Sequence, residues 1–210
     1  MTGSAVAAPF AVQVGDARIG LDAPPGFADT TFTGSPRLQE LAESITSASN
    51  RILLFAISDA DLRRFTLGDP PEFRRYMIAV TPKELERERV SRQAFNGFVV
   101  ASLRELGEPA PADKSLTQYL DLQPAGKASL IAGLRRDAEV VSVLVGARLA
   151  PQGRSQPKQQ YLVSTTTLML IRGKALNLSV YGEYDSPADI DWARAITARW
   201  IDELQRLNNR

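Results

Sequence analysis

Residues 181–192, YGEYDSPADIDW, hold four carboxylates (Glu183, Asp185, Asp189, Asp191) and two tyrosines (Tyr181, Tyr184) in twelve positions. Oxygen-rich clusters of this kind bind hard cations or exchange protons between neighbouring acids. As a calcium loop the segment fails, because it lacks alternating Asp/Asn positions around a central glycine and a terminal glutamate. A structural role accounts for most of it. Ser186 stands at an N-cap position, Pro187 at the first helical position, and Asp189 three residues after the cap, where an acid reaches back to the cap amide. Asp185 and Asp191 flank the same turn, where the helix dipole favours negative charge. The spacing predicts the start of a helix.

The rest of the chain offers little catalytic vocabulary. Cysteine and histidine are both absent from the 210 residues, which excludes thiol chemistry, imidazole-dependent triads and ordinary zinc sites. PAGKAS (Pro124–Ser129) has the look of a phosphate loop, but residue 121 is Asp where the first glycine belongs and Ala128 replaces the hydroxyl that holds magnesium. Ser-x-x-Lys occurs once, at Ser155–Lys158, within the polar loop 152–160. Trp192 and Trp200 suit core packing on a helix better than a stacking platform. The residues therefore assign no catalytic group, no metal ligand and no cofactor. The remaining enzymatic alternative is a hydrolase or lyase built from Tyr, Lys and carboxylates in a cleft, with Tyr181, Glu183 and an arginine as the group to watch.

A formal net charge of +1 argues against a nucleic-acid partner, which needs a concentrated basic surface. The pairs Arg63-Arg64, Arg74-Arg75 and Arg135-Arg136 read as solvated surface. No run approaches the roughly 20 apolar residues of a membrane span. Ala5-Val6-Ala7 has the small-x-small form that precedes a signal-peptidase cut, although no charged or apolar region stands before it. The expectation is an exported, periplasmic protein with residues 1–10 as a tail or signal remnant; a cytoplasmic location is the alternative.

The elements that must carry these residues follow from pattern. Phe10–Val14 and Ala17–Leu21 read as strands about a Gly15-Asp16 turn. Ser35-Pro36 opens a helix with Leu38, Leu41, Ala42 and Ile45 at helical spacing. Residues 51–58 form a buried strand, 59–65 a helical turn and 76–80 a second buried strand. TPKE (Thr81–Glu84) is a capping-box sequence and predicts a long helix starting there. Residues 107–137 are weakly patterned, with two short apolar stretches as helical turns. Residues 138–149, 160–171 and 174–184 are three strands, the last two joined tightly at Arg172-Gly173. A final helix runs from Pro187 to about Leu207. The fold class is α+β, a three-layer α/β/α sandwich with a largely antiparallel central sheet, formed by one domain over residues 11–210.

ARIGLDAPPGF (17–27), LMLIRGKALNLSVYGEY (168–184) and DWARAITARWIDEL (191–204), in this order of elements, resemble bacterial members of the PsbP-like superfamily. The resemblance implies an α/β/α sandwich in an exported protein of unknown role, and no catalytic residues, since that superfamily has no shared active site. The expected function is a non-enzymatic accessory or binding protein of the cell envelope with an unknown protein partner. Its expected binding surface is the charged stretch Lys83–Arg92, with Arg87 and Arg89, together with the polar loop 152–160, with Arg154 and Lys158.

Overall fold

A computed structural model describes residues 9–31, 33–150 and 159–209. The export expectation at Ala5-Val6-Ala7, and the binding residues Arg154 and Lys158, lie outside the described residues. The chain runs β1 (Phe10–Val14), β2 (Ala17–Leu21), β3 (Phe27–Asp29), α1 (Pro36–Ser44), β4 (Asn50–Ser58), α2 (Asp59–Thr66), β5 (Arg75–Pro82), α3 (Arg92–Leu103), α4 (Leu116–Asp121), β6 (Ser129–Arg136), β7 (Val140–Arg148), β8 (Tyr161–Ile171), β9 (Lys174–Glu183) and α5 (Pro187–Asn208). Strands β3 to β9 form a seven-stranded sheet in the order β3-β4-β5-β9-β8-β7-β6, and β1 and β2 form a separate hairpin. Every pairing is antiparallel.

Three layers result because alternate residues of each strand serve opposite faces. Leu54, Ala56, Met77, Ala79, Leu176, Leu178 and Val180 turn to one face and pack against the β1–β2 hairpin and Ile196, Trp200 and Leu204 of α5. Phe55, Ile57, Ile78 and Val80 turn to the other, under Leu38 and Ala42 of α1. Further along that second face, Phe95 and Val99 of α3 cover Val141, Leu168 and Ala175. The expected sandwich and its antiparallel sheet are thus observed, and none of the helices is long and apolar enough to cross a membrane among the described residues.

Two predicted elements are corrected. The helix expected from Thr81 does not form there: Thr81 and Pro82 finish β5, and α3 begins only at Arg92, capped by the Ser91 hydroxyl. The Thr81 hydroxyl is spent on the sheet, donating to the carbonyl of Ala175 at 2.9 Å, so it is not free to cap. The second apolar stretch of 107–137 is no helical turn but strand β6. Its period is broken by register shifts at Leu130/Ala132 and Gly133/Arg135, which hide the alternation that marks a strand.

Candidate functional site

Between β5 and α3 the chain forms a strap, residues 83–91, with one short helical turn at Lys83–Leu85. It crosses the ends of two hairpins. At the first, Gly15 (φ +55) lets the chain come so close that a Cβ there would sit 2.2 Å from the Glu86 carbonyl and 3.2 Å from the Arg87 Cα. At the second, the amide of Val90 donates to the Gly173 carbonyl at 2.8 Å, and the stem of Arg89 lies over Gly173.

Lys174, the first residue of β9, fastens this crossing from inside. It is 1% exposed. Its Nζ donates to the main-chain carbonyls of Glu86 at 3.2 Å and Glu88 at 2.8 Å, and pairs with Asp16 at 2.8 Å. A buried ammonium needs partners for its protons, and the strap supplies two of them. The Asp16 carboxyl is held below its ordinary 3.8, chiefly by the Lys174 hydrogen bond. Lys83 adds an outer tie from its Nζ to the Ala48 carbonyl at 2.7 Å, and Glu86 pairs with Arg51. With its main chain tied down, the strap turns Arg87 and Arg89 out, and both are exposed. The sequence placed these arginines on a helix; the structure places them on a clamped, non-helical segment. Lys174 was missed, because beside Arg172-Gly173 it reads as an ordinary turn lysine.

The acidic cluster of residues 183–191 lies at the other end of the same strands. Asp189 Oδ2 accepts the amides of Asp185 at 3.1 Å and Ser186 at 3.0 Å, so the helix-start reading holds. Burial raises the Asp189 carboxyl, but those two amides and then Arg75 outweigh it and hold it below 3.8. Arg74, just before β5, and Arg75, its first residue, complete the arrangement. Arg74 bridges Glu183 at 2.7 Å and Asp185 at 2.5 Å. Arg75 reaches Asp189 at 3.0 Å while lying 4.2 Å over the Trp192 ring. Arg74 and Arg75 are therefore not a merely solvated pair. Together with Asp61, Arg64 and Glu72 they line a groove of about 560 Å³.

This groove is where a carboxylate enzyme would have to work, and it brings Glu183 to an arginine. Tyr181 is not part of it. Its ring stacks on Tyr76 with centroids 4.7 Å apart, and burial pushes both phenols up, Tyr76 to about 12. A phenol held protonated in an aromatic stack is a poor proton carrier near neutrality. No group of acids among the described residues has the geometry to hold a metal ion. A second concavity, of about 610 Å³, lies between α1 and β4 over Leu38, Ala42, Ile52 and Phe55, with Arg51 and Lys83 also lining it.

No protein-family model and no curated protein matches the chain. Two solved structures match. One is a point mutant of protein Mog1, 13% identical with a TM-score of 0.41, and the other is the Saccharomyces cerevisiae Ran-binding protein Mog1p, 13% identical with a TM-score of 0.38; each alignment covers 97% of this chain and 94% of the other. The expected membership of the PsbP-like superfamily is withdrawn, since the matching structures are Mog1 chains and no family model answers to this sequence. That expectation rested on element order and loose patterns, which unrelated antiparallel sandwiches share. Nor do the comparisons support a cell-envelope location.

Proposed function

We propose that the protein is a non-enzymatic protein-binding module whose contact surface is the charged stretch Lys83–Arg92, the strap and the first residue of α3, with Arg87 and Arg89 as the contacting side chains. The observation that carries this reading is the Lys174 clamp. An exposed charged segment normally loses main-chain freedom when it binds, and that loss weakens association. Here the carbonyls of Glu86 and Glu88 are already fixed from below. A partner then meets a pre-arranged pair of guanidinium groups suited to carboxylates.

The test is cross-linking and quantitative pull-down from the native host with the wild type and with Arg87→Glu/Arg89→Glu. A stoichiometric partner that is lost in the double variant, with thermal unfolding unchanged, supports the reading. Unchanged association overturns it. Arg154 and Lys158 are tested by the same reversal. A cell-envelope location is a separate proposal, and recovery of the untagged protein in the cytosolic fraction of the host sinks it.

A further inference from the structure

Among the described residues, the β1–β2 hairpin has one closed edge and one open one. Its register pairs Val14 with Ala17, Val12 with Ile19 and Phe10 with Leu21 across a two-residue turn. In such a hairpin the pair flanking the turn exchanges both hydrogen bonds, and so does every second pair after it. The main-chain groups of Arg18 and Gly20 therefore point out from β2, and those of Ala11 and Gln13 point out from β1.

The β2 edge is blocked by side chains. Asn208, at the end of α5, imitates a strand: its Oδ1 accepts the Gly20 amide at 2.8 Å and its Nδ2 donates to the Gly20 carbonyl at 2.9 Å. Arg172 Nη1 donates to the Arg18 carbonyl at 3.0 Å. The outer strands of the large sheet are guarded too, β3 by its three-residue length and β6 by its two register shifts. On β1, Ala11 and Gln13 are exposed, and no hydrogen bond to their outward main-chain groups exists among the described residues; the Gln13 side chain turns back to the Gly15 carbonyl.

We infer that β1 accepts an extended segment of a partner protein as a third strand, and that this segment is acidic. Main-chain pairing supplies the docking, as in other strand additions. Charge supplies the sign. Arg18 stands exposed opposite Gln13 on the outer hairpin face, and Arg87 lies against the turn at Gly15. Neither has a carboxylate partner among the described residues. A second copy of the chain is a poorer occupant, because one five-residue strand pair buries far less than the roughly 1,200 Å² at which stable interfaces begin. A segment that continues past the turn also gains the strap arginines.

The probe is a fluorescein-labelled peptide of four Val-Glu repeats, with a Val-Lys analogue and a version N-methylated at alternate residues. Polarisation gives affinity and amide exchange gives position. The expected result is saturable binding of the Val-Glu peptide alone, slowed exchange at the Ala11 and Gln13 amides, and weakening by about fivefold or more in Ala11→Pro, which removes an outward N–H that β2 does not use. Ala11→Ser keeps that N–H and should bind as the wild type does. If Ala11→Pro fails to fold, the exchange pattern of the wild-type complex decides. No binding of the Val-Glu peptide, binding without slowed exchange at Ala11 and Gln13, equal binding by a folded Ala11→Pro, or self-association of the free protein through β1 each overturns the proposal. Arg87→Glu/Arg89→Glu removes charge that both proposals use, whereas Ala11→Pro removes only the strand pairing, so the Ala11→Pro and amide-exchange results decide the β1 proposal independently of the strap pull-down.

Discussion

Replacing Lys174 by methionine keeps the length and apolar volume of the side chain and removes only the ammonium. The change deletes hydrogen bonds to two main-chain carbonyls, at 3.2 and 2.8 Å, and an ion pair with Asp16. Hydrogen bonds to a charged group contribute about 1.5–3 kcal/mol each. Glu86 and Glu88 lie near the surface, so water partly replaces what is lost, and removing a buried charge recovers some desolvation energy. A net destabilisation of about 3 kcal/mol remains, which for a chain of this size lowers Tm by about 6–12 °C. Calorimetry measures that shift, and amide exchange at Val90, bonded to Gly173, reports whether the strap has loosened. A Tm within about 2 °C of wild type, with Val90 equally protected, would refute the clamp and with it the argument for a pre-arranged Arg87–Arg89 pair.

Asp16, depressed below 3.8 by Lys174, contributes stability that is present above its ordinary value and lost as pH falls through its native value; Asp16→Asn should flatten the acid limb of a Tm-versus-pH curve. Asp22 behaves oppositely. Burial raises its carboxyl above 3.8 and its Oδ1 lacks a partner among the described residues, so stability falls as pH rises from about 3.8 through the native value. Asp22→Asn should stabilise the protein at pH 7 and remove that slope. Gly15→Ala should cost more than Gly34→Ala in denaturant titrations: both positions have positive φ (+55 and +65), but only a Cβ at Gly15 meets anything within 4 Å. The left-handed backbone alone costs about 1–2 kcal/mol, and equal losses at the two glycines would mean that the strap does not press on the first turn.

The sequence was most legible where local pattern and tertiary need agree. The hairpin at Gly15-Asp16, the run at 51–58, the β8–β9 hairpin and the last helix all appear where periodicity and turn residues place them. Thr81 shows the opposite case, a capping hydroxyl diverted to a carbonyl 94 residues away. The site was harder to see for the same reason. Arg74 meets Glu183 across 109 residues, and Lys174 meets Glu88 across 86; neither partnership leaves a mark on local composition. Exposure of Arg87 and Arg89 was readable from the charge run, but the clamp that holds the main chain beside them comes from a lysine whose neighbours in sequence say only that a turn is near.

The Asn208 amide that closes the edge of β2 joins Gly20 to a residue 188 positions later, and Trp200 bonds the Asp22 carbonyl across 178. During translation at about 5–20 residues per second, roughly 10–40 s pass between synthesis of the hairpin and synthesis of the helix that covers it. Throughout that interval Val14, Ile19 and Leu21, all buried in the finished molecule, lack the α5 residues that complete their core. The first strands made are among the last enclosed, so nascent chains should engage holdase chaperones through the hairpin and release them only when α5 has emerged.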